Sequence, residues 1–474
     1  MKIVRVKATP LNVPVTIDIL GMHHTTSLSV CLTEIESDTG LIGHGLTGIT
    51  EEEIIAAAVR EVAAPALIGG DPLATERLWE KLYWLLSPRG QTGYASHVIA
   101  ALDVALWDIK AQALGLPLWR LLGGARAQVP VYATFGFGFF DREQLAAAAG
   151  LWVSQGFERL KMTVGGHALA RRDEPRSIDS VLDEDVRRVA AVREALGPDV
   201  KLYVDANCGL DLFHATDLAR RIEPYNIGFF EEPLTQNDVR QMAALRARTT
   251  IPLACGQNEG LAFRFRDLLV QQAADVLQPN VVISGGYSQC VKIAAMAQAF
   301  NVPIDNGGAW PFHNMHLHAG VSNGGMVEYH YVAVQLLKQI YDNLPEPSNG
   351  WLTLPEKPGL GFAPNAERVR ELAKLPLDLL QRGRYQPRVD MRPESLEDLA
   401  LPGTEPLLAF LLEDIGNVDA RARLDLVVGI DEALAQFARE DAADGGLPGA
   451  HQADQEDIAR MRLLYGHVKV TLNG

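Results

Sequence analysis

The chain predicts an α/β fold: a (β/α)8-type TIM barrel, with an α+β domain before it and a helical C-terminal extension after it. Three observations carry that expectation. The stretches Y-V-D-A-N (203–207), F-F-E-E-P (229–233) and A-C-G-Q-N-E (254–259) are short apolar runs, each leading into an oxygen-bearing side chain. They recur at a constant step, since 231 − 205 = 26 and 257 − 231 = 26, which is room for one strand, one loop and one helix of about 10 to 15 residues. An alternation of strand, loop and helix also begins only after residue 126 or so.

Before that point the pattern is different. Residues 2–14 and 27–37 alternate apolar and polar side chains, and Asp38, Thr39 and Gly40 supply a turn signal, so these read as antiparallel strands. Helical periodicity follows at 51–66, 75–86 and 96–114, which makes residues 1–125 a separate α+β domain. Barrel strands are then expected at 129–133, 159–164, 202–205, 228–231, 252–256, 276–278, 303–305 and 326–328, with helices such as 185–196, 215–222, 239–249, 263–272 and 287–300 between them. An open doubly wound sheet is the competing arrangement. Pro345, Pro347, Gly350 and P-G-L-G (358–361) mark a turn-rich return segment that ends the barrel unit, 126–375. Over 376–474 helices are expected at 405–414, 420–439 and 455–464, with Val427, Ile430, Leu434 and Phe437 on one stripe. Such an extension packs on the barrel or on a neighbouring subunit.

Composition narrows the functional classes. With 47% hydrophobic and 22% charged residues among 474, the chain has material for a large core. A formal charge of −16 argues against a sequence-independent grip on nucleic acid or anionic lipid, because both need clustered Lys and Arg. Cys31, Cys208, Cys255 and Cys290 are scattered without C-x-x-C spacing, as reduced thiols would be. The start M-K-I-V-R-V-K reads as a charged strand and no apolar run approaches about 18 residues, so a cytoplasmic protein without membrane contact is expected.

Parallel strands deliver their end residues to one rim of the sheet. Asp205, Glu231 and then Gln257 or Glu259 gathered there read as hard oxygen ligands for Mg²⁺. One such carboxylate could be a helix cap, but three donors on successive strands are harder to explain in that way. Asn207, two residues past Asp205, shares its side of the chain and is expected to face substrate; Glu232 should point away.

Here the chain resembles the mandelate racemase and muconate lactonizing branch of the enolase superfamily. The resemblance rests on A-S-H-V-I-A-A-L-D-V-A-L-W-D (95–108), L-P-L-W-R-L-L-G-G (116–124), V-D-A-N, F-E-E-P, L-Q-P-N with S-G-G (277–286) and P-G-L-G, and it spans residues 1 to about 375. It implies that the N-terminal domain caps the barrel mouth, that one Mg²⁺ is bound, and that the proton α to a carboxylate is removed. It also implies that Glu328 contacts the substrate carboxylate or acts as an acid, and that His23 and His24 lie in the capping loop over the substrate.

The sequence departs from that family at its bases. Where the second barrel strand usually ends K-x-K, it reads L-K-M-T, so Lys161 is kept and Thr163 stands at the usual base. Asn280 replaces the sixth-strand Asp, and Asp305-Asn306-Gly307 occupies the place of the seventh-strand His. Lys161, Asp305 and His313, the last close to that strand end, are therefore the candidate proton carriers, and His316 and His318 follow it. Lys161 beside a cation would have a lowered pKa, as a base requires. The expected function is Mg²⁺-dependent dehydration of a hydroxy (sugar) acid by a homo-oligomer acting on a small carboxylate. A racemase, epimerase or cycloisomerase is the first alternative, and a base-deficient binding or assembly protein the second.

Overall fold

The structure, a computed structural model, describes residues 1–19, 22–86, 93–166 and 177–375, without side-chain detail for Ile19, Met22 and His23. The helices expected at 405–414, 420–439 and 455–464 lie outside the described residues.

The N-terminal domain is built on a long hairpin. β1 (Ile3–Ile19) and β2 (Met22–Ser37) pair antiparallel along their whole length, and β3 (Ile42–Gly48) pairs with β2. The hairpin runs beyond the expected ends at 14 and 27, because the alternation persists. Val13, Val15 and Ile17 are buried, while Pro14, Thr16 and Asp18 between them are exposed. Helices Thr75–Leu86 and Tyr94–Ala113 cover one face together with a helical run over 52–67. Ile55, Val59, Leu78, Leu82, Ile99, Leu102 and Leu106 share a core there with Ile3 and Ile35. Each fully buried Leu or Ile contributes about 1.5–3 kcal/mol.

Helix Tyr94–Ala113 is apolar on nearly all sides because it lies between that sheet and the barrel. Two buried aspartates dock it. Asp103 accepts from the Ser288 N–H at 2.9 Å and the Ser288 hydroxyl at 2.6 Å, capping helix Gly286–Ala299 from outside. Gly286 (φ +85°) has to be glycine, since a Cβ would stand 2.2 Å from Asp103 Oδ2. Asp108 accepts from the backbone N–H of His44 (2.9 Å) and of Leu360 (2.8 Å), joining β3 to the return segment. Burial pushes the Asp103 carboxyl up to about 7 and that of Asp108 up to about 6.

The barrel strands are β4 (Gln128–Gly136), β5 (Arg159–Thr163), β6 (Lys201–Asp205), β7 (Ile227–Glu231), β8 (Leu253–Cys255), β9 (Val276–Leu277) and β10 (Val327–His330). All pair in parallel in the order β10-β4-β5-β6-β7-β8-β9. The expected seventh strand at 303–305 is reduced to one residue. Ile304 bridges Leu277 on one side and Gly324 on the other, and the Asn306 N–H donates to the Met326 carbonyl, which closes the ring. Pro303 has no N–H to donate, and Gly307 and Gly308 follow at once, so no longer ladder forms. A final strand, β11 (Trp351–Thr353), pairs antiparallel with the start of β4.

Inside the barrel, Tyr203 stacks on Phe229 (4.1 Å between rings) and Tyr132 meets both edge-on, with Ala254, Val276 and Met326 filling the remainder. This aromatic floor seals the barrel below the strand ends. No helix among the described residues is long and apolar enough to cross a membrane.

Candidate active site

Side chains alternate along a strand, so the residue two beyond each floor position faces inward again, one level nearer the C-terminal rim. Those residues are Thr134, Asp205, Glu231, Gly256, Gln278 and Glu328, every one buried. Lys161 starts level with Tyr203, and its four-carbon stem carries the ammonium up among the carboxylates. Nζ lies 2.7 Å from Glu231 Oε1, 3.0 Å from Glu328 Oε1 and 3.1 Å from Asp205 Oδ2, and 5.5 Å above the Tyr132 ring.

The charges follow from that contact set. Burial disfavours the Lys161 ammonium, but Glu231, Glu328 and Asp205 together outweigh it and hold the pKa well above the usual lysine value. Lys161 is thus the cation that pairs with these three carboxylates. Burial also disfavours ionised Glu328, yet Lys161, His330, the Thr134 hydroxyl and the Ala309 N–H (2.7 Å) hold its pKa below the usual value. Burial and the adjoining Asp205 charge push Glu231 upward. Glu231 Oε2 is buried and has no hydrogen-bond partner among the described residues. Asp205 Oδ1 accepts from the Asn207 N–H at 2.8 Å; Asn207 itself is exposed at the rim.

A hard divalent cation suits this donor set. The unpartnered Glu231 oxygen and Asp205 supply two carboxylates from register-matched positions on adjacent strands. Gln257 is the candidate for a third donor. Its Nε2 donates to Asp205 Oδ2 (3.4 Å) and Glu232 Oε2 (3.2 Å), and rotating the terminal amide presents Oε1 instead. Among the described residues no three His, Cys, Asp or Glu side chains form a ready-made metal cage. Glu259 is not brought to this point. Arg264 (2.8 Å) and Asn237 (3.1 Å) engage its buried carboxylate, and the Glu259 N–H closes a turn on the Gly256 carbonyl. Glu232, in a left-handed conformation (φ +38°), is a brace that accepts from Asn237, Gln257 and the backbone of Gly256 and Asn258.

The positions that depart from the family pattern are occupied structurally. The Thr163 hydroxyl donates to the Gly136 carbonyl at 2.9 Å. Asn280 donates to the carbonyls of Gly307 (2.7 Å) and Gly308 (3.0 Å), stitching that turn down. A Cβ at Gly307 would meet Gln278 Nε2 at 2.9 Å and Glu231 Oε1 at 3.0 Å.

Two candidate proton carriers lie away from the ring. Asp305 Oδ1 accepts from the Met326 N–H at 2.6 Å, with Tyr203 nearby at floor level, and burial raises its pKa to about 6. The His313 ring packs against Phe362 (5.4 Å) and Tyr341 (5.8 Å) in the return region, because helix Pro311–Gly320 turns it away from the strand ends. His316 and His318 lie buried on the same helix.

The long hairpin reaches the barrel rim, where exposed His24 stacks on Phe139 (4.3 Å) in the loop after β4; the side chain of His23 lies outside the described residues. Sequence reasoning missed Thr134, Gln278 and His330. The first two were legible as inward positions on β4 and just past β9, two residues beyond Tyr132 and Val276. The Nδ1 of half-buried His330 accepts from the Ala333 N–H at 3.4 Å, so it serves as the cap of helix Tyr331–Ile340.

Comparison with known proteins agrees with this architecture. The profile of the mandelate racemase / muconate lactonizing enzyme N-terminal domain matches residues 1–123, and that of the enolase C-terminal domain-like family matches 144–369. The chain is 30% identical over 342 residues to arabinonate dehydratase of Saccharolobus solfataricus, covering 71% of this chain and 88% of that one. It is 32% identical over 359 residues to D-galactarolactone cycloisomerase of Agrobacterium fabrum, covering 72% and 90%. The crystal structure of a racemase from Streptomyces coelicolor A3(2) with bound magnesium superposes with a TM-score of 0.70 at 28% identity, over 78% of this chain and 99% of that one. By profile, relatives and fold alike, the chain belongs to the mandelate racemase/muconate lactonizing enzyme family of the enolase superfamily.

Proposed function

We propose that the chain is a Mg²⁺-dependent dehydratase of a polyhydroxy (sugar) acid. The observation that carries this reading is the contact of Lys161 with Asp205, Glu231 and Glu328 at the barrel rim, a protonatable amine inside a cluster of hard oxygen donors. Similarity to arabinonate dehydratase supports the substrate class, and the magnesium-bound racemase supports the metal.

Asp205, Glu231 and Gln257 would hold the cation, which when bound stabilises the negative charge that builds on a carboxylate as its α-proton leaves. The remaining work falls to side chains of the chain. With Asp205 and Glu231 engaged by the cation, their hold on the ammonium would weaken and the Lys161 pKa would fall, so that Lys161 gives its proton to solvent. As the amine it takes the α-proton; the C–O bond at the β-carbon breaks, and the leaving hydroxyl takes a proton from the same ammonium and departs as water. The enol left behind becomes a 2-oxo acid. One group serves both transfers, which suits a site whose other base positions hold Thr163, Asn280 and Gly307. Glu328, fixed by Thr134 and the Ala309 N–H, sits where it can orient the substrate. Asn207, His24 and His23 are assigned to the substrate side of the rim. Asp305 and His313 are given no part in proton transfer.

The test is incubation of the Mg²⁺-loaded protein with arabinonate, galactonate and galactarate in D₂O, following 2-oxo acid formation and deuterium uptake. Production of a 2-oxo acid that Asp205→Asn and Glu231→Gln abolish supports the reading. An isomeric product that has lost no water, heavier only by the deuterium it takes up, would replace it with the cycloisomerase reading, which the 32% identity to D-galactarolactone cycloisomerase favours as the alternative. No reaction with any acid would leave a binding protein.

A further inference from the structure

Four amides surround the polar ring, and three of them are committed. Gln257 donates to Asp205 and Glu232. Asn280 donates to the Gly307 and Gly308 carbonyls and accepts from the Val282 N–H and from Asn314. Asn306 donates to the Gly307 carbonyl and accepts from the Glu328 N–H. Gln278 is different: it is 0% exposed, and neither Oε1 nor Nε2 has a hydrogen-bond partner among the described residues. A buried amide that fails to make its bonds is unfavourable and needs a reason.

Its placement supplies one. Gln278 lies two residues past Val276 of the barrel floor and so faces the interior at the level of Glu231. Both Gln278 Nε2 and Glu231 Oε1 come within about 3 Å of the Cβ that Gly307 lacks, so amide and carboxylate border the same spot, beside the Lys161 ammonium. The missing partner has to satisfy a donor and an acceptor together. A cation would use only Oε1, and a carboxylate only Nε2, whereas a hydroxyl, of a substrate or of a water molecule, accepts from one and donates to the other.

We infer that Gln278 recognises a hydroxyl group of the substrate, placed next to Lys161 and Glu231, and is a specificity-determining residue of the site. The inference rests on the sugar-acid reading above and names which group of that acid is read. Polyhydroxy acids fit such a residue and simple carboxylic acids do not.

The experiment compares the full-length, Mg²⁺-loaded wild type with Gln278→Leu and Gln278→Met, which are similar in volume and carry no hydrogen-bonding amide. The probes are arabinonate, galactonate and galactarate with their singly deoxygenated analogues. The readout is the affinity by calorimetry, or kcat/KM where an acid is consumed. Thermal midpoints without ligand are recorded alongside.

In the wild type, one parent acid is expected to exceed one of its deoxy analogues by at least about tenfold. In both variants that preference falls to within about twofold, through loss of the parent acid's affinity, while the thermal midpoint stays the same or rises. A preference undiminished in both variants would overturn the inference and leave the proposed function standing, as would a wild type that binds parent and deoxy acids alike. Binding of no acid by the wild type would remove both.

Discussion

Lys161 Nζ stands 2.7 Å from Glu231 Oε1, while Oε2 of the same carboxylate has no partner among the described residues. One carboxylate thus serves an internal cation on one side and leaves an oxygen unused on the other. Lys161 also touches Asp205 and Glu328, so the amine that would carry the proton is the counter-ion that lets three buried carboxylates coexist.

Removing that counter-ion leaves the carboxylates facing one another in the interior. Lys161→Met is expected to lower the stability of the metal-free protein by about 3–5 kcal/mol, the usual cost of breaking a buried ion pair from one side. Added Mg²⁺ should recover part of it. Urea unfolding with and without Mg²⁺ measures both, and an unchanged midpoint in metal-free buffer would refute the counter-ion role.

If Gln257 faces the cation as proposed, a carboxylate in its place binds that cation more strongly. Gln257→Glu is expected to tighten Mg²⁺ binding by about tenfold or more, about 1.4 kcal/mol, while its new charge beside Glu232 lowers stability without metal. Titration calorimetry reads the first effect and metal-free unfolding the second. Mg²⁺ affinity equal to that of the wild type would show that Gln257 does not face the cation.

Acid should destabilise the protein through its buried histidines. Burial lowers the pKa of His313 and of His318 from 6.5 to about 3, and that of His316 likewise, with further lowering by His313. Above pH 6.5 each is neutral whether folded or unfolded and costs nothing. As pH falls from 6.5 toward 3 the unfolded chain gains protons that the folded chain refuses, so stability is lost, about 2 kcal/mol per histidine at pH 5. Asp103, Asp108 and Asp305, with pKa values raised to about 7, 6 and 6, act in the opposite sense over part of that range. The difference between wild type and His313→Phe isolates one histidine. It should grow steadily below pH 6.5, and a pH-independent difference would count against a neutral buried ring.

Asp103 tests the docking of the N-terminal domain. Asp103→Ala strands the Ser288 N–H and hydroxyl and should cost about 2–3 kcal/mol. Asp103→Asn keeps an acceptor at the same place, and since burial already raises the carboxyl to about 7, it should cost about 1 kcal/mol or less. Chemical denaturation of the two variants side by side would contradict the capping role if they were equally destabilised.

Sequence alone determined what depends on local pattern. The constant step of 26 residues placed Asp205 and Glu231 on neighbouring barrel strands, and the alternation in β1 and β2 marked the antiparallel hairpin, because strand parity and the length of a βα unit act over a few residues. Tertiary structure decided what depends on which groups converge. The pairing of Glu259 with Arg264 and Asn237 could not be read from its spacing to Glu231. The removal of Asp305 and His313 from the ring turned on bonds to Met326 and packing against Tyr341 and Phe362. The protonated state of Lys161 required three carboxylates from three other strands, β6, β7 and β10, whose fields add only where the closed barrel brings them within about 3 Å of one ammonium.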